Sequence, residues 1–293
     1  PQEYDSFVKL NTNENAFPPS TEVLEAIKKA CNENLRYYPD KSGTKLRTLL
    51  SKKYKLSPEE IFIANGSDEI FTLLLRGFIE PDGLAAFPYP SYSLYYTLAE
   101  LNGVQYETVP LANDFSFNLK GFQSKKYDLV VFPNPNNPTG TYCQVDQIQK
   151  FLQNFKGLLV VDEAYIDFYG GSAIELIKKF DNVIVTRSFS KSYSLAGLRI
   201  GVAIAHPDII NGFMKLKDSY NIDTLALAGA EAALKDEKTF KYNIRMMSEN
   251  KEYLEERLEG MGFEIVPSRA NFLFVKHPDF VSEELYTLLK QNN

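Results

Sequence analysis

The sequence predicts an α/β fold, a largely parallel sheet of about seven strands sandwiched by helices, with a smaller α+β domain behind it. Three observations carry that prediction. Short runs that are apolar at consecutive positions alternate with helical patterns, which describes strands buried on both faces. Clusters of Asn, Asp, Ser and Gly follow several of those runs directly, where open α/β sheets bind ligands. Beyond Pro207 the short runs give way to long amphipathic helices, the mark of a second unit.

In chain order, Asn11 to Asn15 is a polar arm, Phe17-Pro-Pro-Ser20 is a turn, and Thr21 is placed to cap a helix over 22–30. Arg36 to Asp40 is a proline-stiffened loop, and leucines at 46, 49 and 50 mark a helix over 44–54. Strands are expected at 61–64, 84–87, 106–109, 129–132, 158–161, 183–185 and 200–204, with helices at 68–78, 91–101, 146–154 and 173–180 between them. Helices at 208–217, 225–235 and 241–259 follow, then strands at 263–267 and 271–275 and a helix at 282–290. The expected division is an arm and helix over 1–35 that packs with the small domain, a large domain over 36–234 and a small one over 235–293. Two strands seldom stand alone, so the small domain is expected to lean on the large one or to be incomplete.

Composition narrows the function. The 293 residues are 44% apolar and carry a net charge of −6 with the cations dispersed, which argues against nucleic acid and anionic membranes as partners. Cys31 and Cys143 lack metal-ligand spacing and read as free thiols, and no apolar run is long enough to span a bilayer, so a cytoplasmic protein is expected. With two histidines, His206 and His277, each before a proline, neither a Ser-His-Asp triad nor a histidine-rich metal site is supported. No metal is expected. The phosphate-loop and dinucleotide fingerprints are both missing.

The chemistry concentrates in the loops. Ser188-Phe-Ser-Lys191 places a lysine after an apolar run, with Arg199 eight positions on. Apolar surroundings and a second cation lower a lysine's proton affinity and ready its amine for Schiff-base chemistry, although a basic surface loop would read the same way. If the carbonyl belongs to pyridoxal 5′-phosphate, then Ser188, Ser190 and Arg199 are natural ligands for its phosphate. Asn65-Gly66-Ser67-Asp68-Glu69 opens a helix, either as an anion site or as a capping box with Ser67 or Asp68 as the cap. In Pro135-Asn-Asn-Pro-Thr-Gly140 two prolines fix the backbone around Asn137, or simply form a turn. Asp162 ends a fully apolar run and needs a partner; a protonated pyridine nitrogen is one, a helix cap or Mg²⁺ are others. Tyr165 and Asn137 could reach the ring oxygen, and Tyr92 could stack on the ring or belong to the core.

Together with Lys9 to Asn15, Arg36 to Asp40 and Leu198 to Gly201, these motifs in this order resemble the histidinol-phosphate aminotransferases, fold type I pyridoxal-phosphate enzymes, from Lys9 to about Phe274. The resemblance implies that Lys191 forms the Schiff base, that Asp162 pairs with the ring nitrogen, and that Tyr165 and Asn137 bond the ring oxygen. Gly66, Ser67, Asp68, Ser188, Ser190 and Arg199 would hold the phosphate, Tyr92 would stack on the ring, and Tyr38 would reach the phosphate of a neighbouring subunit in a homodimer. Asn15 and Phe17 are candidates for the substrate pocket. The implied reaction moves an amino group from L-histidinol phosphate to 2-oxoglutarate, both small molecules. An aromatic amino-acid aminotransferase, a phospho-amino-acid decarboxylase of the same fold, or a non-catalytic binder of the cofactor are the rival readings. The family's substrate-binding C-terminal arginine has no counterpart motif before Asn293, so a missing tail is expected.

Overall fold

The computed structural model describes residues 8–292; Pro1 to Phe7 of the expected arm, and Asn293, lie outside them. The arm leads into α1 (Thr21–Ala30), whose cap is Ser20 and not Thr21. Ser20 has extended backbone angles and its Oγ accepts from the Val23 amide at 3.4 Å, so Thr21 is already the first helical residue. After α2 (Thr44–Tyr54) come β1 (Ile61–Asn65), α3 (Gly66–Gly77), β2 (Leu84–Tyr89), α4 (Leu94–Leu101), β3 (Gln105–Pro110), β4 (Leu129–Pro133), α5 (Val145–Asn154), β5 (Leu158–Asp162), β6 (Val183–Ser188) and β7 (Ile200–Ala205). The expected seven strands all form, six within two residues of their predicted ends and β6 running three residues further, to Ser188.

The seven strands make one sheet in the order β1-β7-β6-β5-β4-β2-β3. Only β7 is antiparallel to its neighbours, β1 and β6. Side chains alternate between the faces: Phe62, Val160, Ile184 and Ala203 pack with Ile70, Phe71 and Leu74 of α3. Ile63, Val161, Val185 and Val202 pack on the other side with Leu46 and Leu50 of α2 and Phe151 of α5. The reversed β7 matters for function. It sets the segment leading into Ile200 beside the carboxyl ends of β1 and β6, with Asn65 opposite Ile200 and Ser188 opposite Gly201.

Two of the helices predicted between the strands differ. The 91–101 helix starts only at Leu94, because the Ser91 hydroxyl donates to Asn136 Oδ1 at 2.8 Å and the Pro90 carbonyl accepts from Asn136 Nδ2 at 3.1 Å, holding both residues in the loop. The 173–180 helix is a 3₁₀ segment, Ala173–Lys178, whose first amide is diverted to Glu163. The later helices are α6 (Pro207–Leu216), α7 (Thr224–Lys235), α8 (Glu237–Gly260) and α9 (Ser282–Gln291), with β8 (Glu264–Val266) and β9 (Phe274–Lys276) paired antiparallel before α9. Both small strands are shorter than predicted. The residues between them turn back on themselves, as the Ser268 hydroxyl donates to the Phe272 carbonyl at 2.6 Å and the Arg269 amide reaches the Gly140 carbonyl at 2.8 Å.

Candidate active site

Asp162 closes β5 with only 6% of its surface exposed. Its Oδ2 accepts from the Tyr95 hydroxyl at 2.5 Å, and its Oδ1 accepts from the Thr186 hydroxyl at 2.8 Å and the Ala164 amide at 3.2 Å. Burial pushes this carboxyl's pKa up, and those three bonds pull it back down. Glu163 points away into a separate network. Its side chain accepts from Ser172, the Ala173 amide and Arg187 Nη1, and Arg187 Nη2 bridges at 3.1 Å to Asp167, which accepts from the Ser192 hydroxyl at 2.6 Å. The residues after Asp162 and after Lys191 are therefore tied through one buried guanidinium.

Lys191 follows β6 on a tight loop. Its Nζ donates to the Thr12 carbonyl at 2.7 Å and lies 5.6 Å from the centre of the Tyr165 ring. Burial lowers the pKa of the amine, Arg199 lowers it further, and Glu14 and Asp68 oppose the shift. The polar arm closes over this corner. Asn15 Nδ2 donates to the Lys191 carbonyl at 3.0 Å, Asn13 Nδ2 donates to the Tyr165 hydroxyl at 3.2 Å, and Asn271 Nδ2 holds the Asn13 carbonyl at 3.1 Å. Tyr165 is buried, and its pKa is pushed up to about 12 by burial, so it acts as a neutral hydroxyl. Phe17 instead meets Tyr242 of α8 edge-on at 6.3 Å, while its amide donates to Asn15 Oδ1.

The anion corner lies at the β1–β7 edge. Arg199 takes a left-handed φ of 54° and its Nη2 donates to Asp68 Oδ2 at 2.7 Å. Gly66 has φ +75°, and a Cβ there would stand 2.5 Å from Arg199 Nη2; one on Gly201 would stand 2.4 Å from the Gly66 carbonyl carbon. Only glycine permits this approach. Neither Ser67 nor Asp68 caps α3. The helix starts at Gly66 with Asn65 as its cap, and Glu69 reaches back to the Asn65 amide. The first-turn amides of Gly66, Ser67 and Asp68 are thus left without helical partners, beside a guanidinium. Ser188 and Ser190 are buried on the adjoining strand end, with the Ser190 amide donating to Ser188 Oγ at 3.1 Å.

Tyr92 is half-buried and meets Tyr95 edge-on at 5.6 Å; burial first, then Asp68 and Asp162, raise its pKa. Asn137 is half-buried on the β4 loop, yet Asn136 is the residue that pins this loop, through Thr139, Pro90 and Ser91. Tyr38 is 81% exposed and stacks on Tyr220 at 4.4 Å. Sequence reasoning missed Tyr95, Arg187 and Asn271, and singled out Asn13 only as part of the polar arm. An arginine inside the apolar run 183–188 was the available signal for the charge network, since a cation there requires carboxylates. Nothing in the sequence marked Tyr95.

A buried carboxylate, a lysine of lowered proton affinity and a guanidinium over a glycine turn thus gather at the carboxyl edge of one α/β sheet, where such sheets bind ligands. The pattern describing aminotransferase class I and II matches residues 5–292, and the chain belongs to that family. It is 42% identical to "Histidinol-phosphate aminotransferase 1" of Oceanobacillus iheyensis over 98% of this chain and 82% of that one. It is 45% identical to the histidinol-phosphate aminotransferase of Citrifermentans bemidjiense over 98% and 81% of the two chains. Among solved structures, the histidinol-phosphate aminotransferase of Sinorhizobium meliloti in complex with pyridoxal-5′-phosphate superposes with a TM-score of 0.86 at 28% identity, covering 92% of this chain and 75% of that one. The Clostridium acetobutylicum enzyme gives 0.88 at 25% identity, covering 96% and 86%. Within the aminotransferases, this chain belongs with the histidinol-phosphate branch.

Proposed function

We propose that this aminotransferase takes its amino group from L-histidinol phosphate and delivers it to 2-oxoglutarate, yielding imidazole acetol phosphate and L-glutamate, a step of histidine biosynthesis. The cofactor is pyridoxal 5′-phosphate, and the donor set fits it: a guanidinium with free helix amides and hydroxyls for the phosphate, and a buried acceptor for the ring nitrogen. One observation carries the reading: Lys191 has its amine's proton affinity lowered by burial and is held at the same sheet edge as buried Asp162 and the Arg199–Gly66 cradle.

When bound, the cofactor supplies a carbonyl that condenses with amines and a ring that takes up the electron pair freed at the substrate's α-carbon. Arg199, Ser188, Ser190 and the amides of Gly66, Ser67 and Asp68 would bind its phosphate, which would replace the Asp68 carboxylate as counterion to Arg199. Asp162 would hold the proton on the ring nitrogen, Tyr165 and Asn137 would bond the ring oxygen, and Tyr92 would cover the ring. Lys191 Nζ, its proton affinity lowered by burial, accepts the proton from the α-carbon of the amino donor. The Asn13–Asn15 arm, which closes over Lys191 and Tyr165, lines the donor's side and excludes water.

The two domains are divided at about 235, with the arm bridging them through Asn13 to Asn271 and Phe17 to Tyr242. The enzyme is a cytoplasmic homodimer. The exposed aromatic patch of Tyr37, Tyr38 and Tyr220 supports the pairing of subunits, with Tyr38 serving the partner's phosphate site. Purified enzyme should form glutamate from 2-oxoglutarate fastest with histidinol phosphate. Faster turnover of phenylalanine, or release of CO₂ from threonine phosphate, would overturn the substrate assignment.

A further inference from the structure

We propose that Tyr95 is a positioning residue for the reaction: its buried hydroxyl holds Asp162 Oδ2 so that the carboxylate keeps a single acceptor position turned to the cofactor. A carboxylate offers about four acceptor sites. Tyr95, Thr186 and Ala164 fill three of them, at 2.5, 2.8 and 3.2 Å. The fourth is left for one more donor, which on the reading above is the ring nitrogen. This inference rests on that assignment of Asp162.

The surroundings of Tyr95 separate its hydroxyl from its ring. The ring packs on Phe87 at 5.8 Å, on Phe71 at 4.9 Å and on Tyr92 at 5.6 Å, contacts that phenylalanine would make equally well. The hydroxyl has another task. It is fully buried, and its partner is Asp162. Burial and the neighbouring carboxylate drive the phenol's pKa well up, so it stays a donor at every working pH. The titratable groups around this pair are Asp68 from α3, Tyr92 before α4 and Tyr165 after β5. All of them disfavour added negative charge at Asp162 or Tyr95, which leaves the hydrogen bonds from Tyr95, Thr186 and Ala164 to oppose the upward shift that burial imposes on Asp162. Through its contact with Tyr92, the same side chain also sets the residue proposed to cover the ring.

The test uses Tyr95→Phe, Asp162→Asn and the double variant. In apoenzyme, the stability lost by Tyr95→Phe should grow as pH rises from 5 to 8, because it strips a donor from a charged group, and should largely vanish in the Asp162→Asn background. In holoenzyme, the acid limb of kcat against pH should move up by about one to two units, the size expected for losing a hydrogen bond to a charged group, with KM little changed. A pH-independent loss that persists beside Asp162→Asn would make Tyr95 a packing residue only and overturn the proposal. If Tyr95→Phe does not fold, wild-type apoenzyme should show a far-downfield hydroxyl proton by NMR that Asp162→Asn abolishes; its absence also overturns the proposal. Because the apoenzyme arms involve no cofactor, they can fail while Asp162→Asn still cripples turnover. Unchanged turnover in Asp162→Asn would instead sink the assignment of Asp162 itself.

Discussion

Replacing Arg187 with methionine should be among the most damaging single changes outside the cofactor contacts. The guanidinium lies between Glu163, whose side chain is fully buried, and Asp167, whose side chain is one-fifth exposed, at 3.2 and 3.1 Å. Breaking a buried pair by removing one partner costs about 3–5 kcal/mol, because an uncompensated charge stays behind. At about 2–4 °C per kcal/mol for a chain of this size, the melting temperature should fall by roughly 6–20 °C. The loss should also depend on pH. Burial already raises the Glu163 carboxyl, and Arg187 holds it down; without that cation its pKa climbs further. A group whose folded pKa lies above its unfolded value contributes stability that is present below the unfolded value and is lost as pH rises through the folded one. The deficit should therefore be smallest near the ordinary glutamate value of 4.5 and grow toward neutrality. Urea unfolding of apoenzyme at pH 5, 6, 7 and 8 measures this, with Arg187→Lys expected in between. A loss under about 1 kcal/mol, equal at every pH, would refute the idea that this network is a charge-compensated unit.

Lys191→Ala should cut turnover by at least about 10²–10⁴-fold, the contribution of a positioned proton-transfer group, and a steady-state rate near wild type would exclude that role. Lys191→Met should stabilise the apoenzyme at neutral pH. The folded lysine's pKa is lowered, so the wild-type penalty is fully present below that lowered value and is lost as pH rises from it toward the ordinary 10.5, where the variant's advantage should fade. A variant less stable than wild type at pH 7 would contradict this. Gly66→Ala puts a methyl 2.5 Å from Arg199 Nη2 at φ +75°, a backbone cost of about 1–2 kcal/mol, and displaces the guanidinium. Fluorescence titration should show weaker cofactor binding, and an unchanged Kd would mean the cradle is not the phosphate site.

The strands and the loops that carry the site were legible because an apolar run buried on both faces has a plain signature and ligands gather where such runs end. The direction of β7 was not. Its residues are as apolar as those of β6, and only the sheet shows that its reversal brings Arg199 to Asp68 and Gly66. Asn137 stood out from its flanking prolines, while the neighbour that anchors the loop, Asn136, was hidden by having the same chemistry one position away. Tyr95 lies 67 residues from Asp162 in sequence, and one tyrosine among 18 carries no mark of such a pairing. The arm was read as contacting something because it is densely polar. What it contacts, the Lys191 backbone and Tyr165, follows only from the fold.

The central claim is that Lys191 is the amine joined to the cofactor, and borohydride reduction of the holoenzyme tests it most directly. Reduction should bleach the visible band, and digestion with mass spectrometry should then place a phosphopyridoxyl group on the peptide bearing Lys191. A modification on another lysine, or no stable modification of a protein that still turns over, would contradict it.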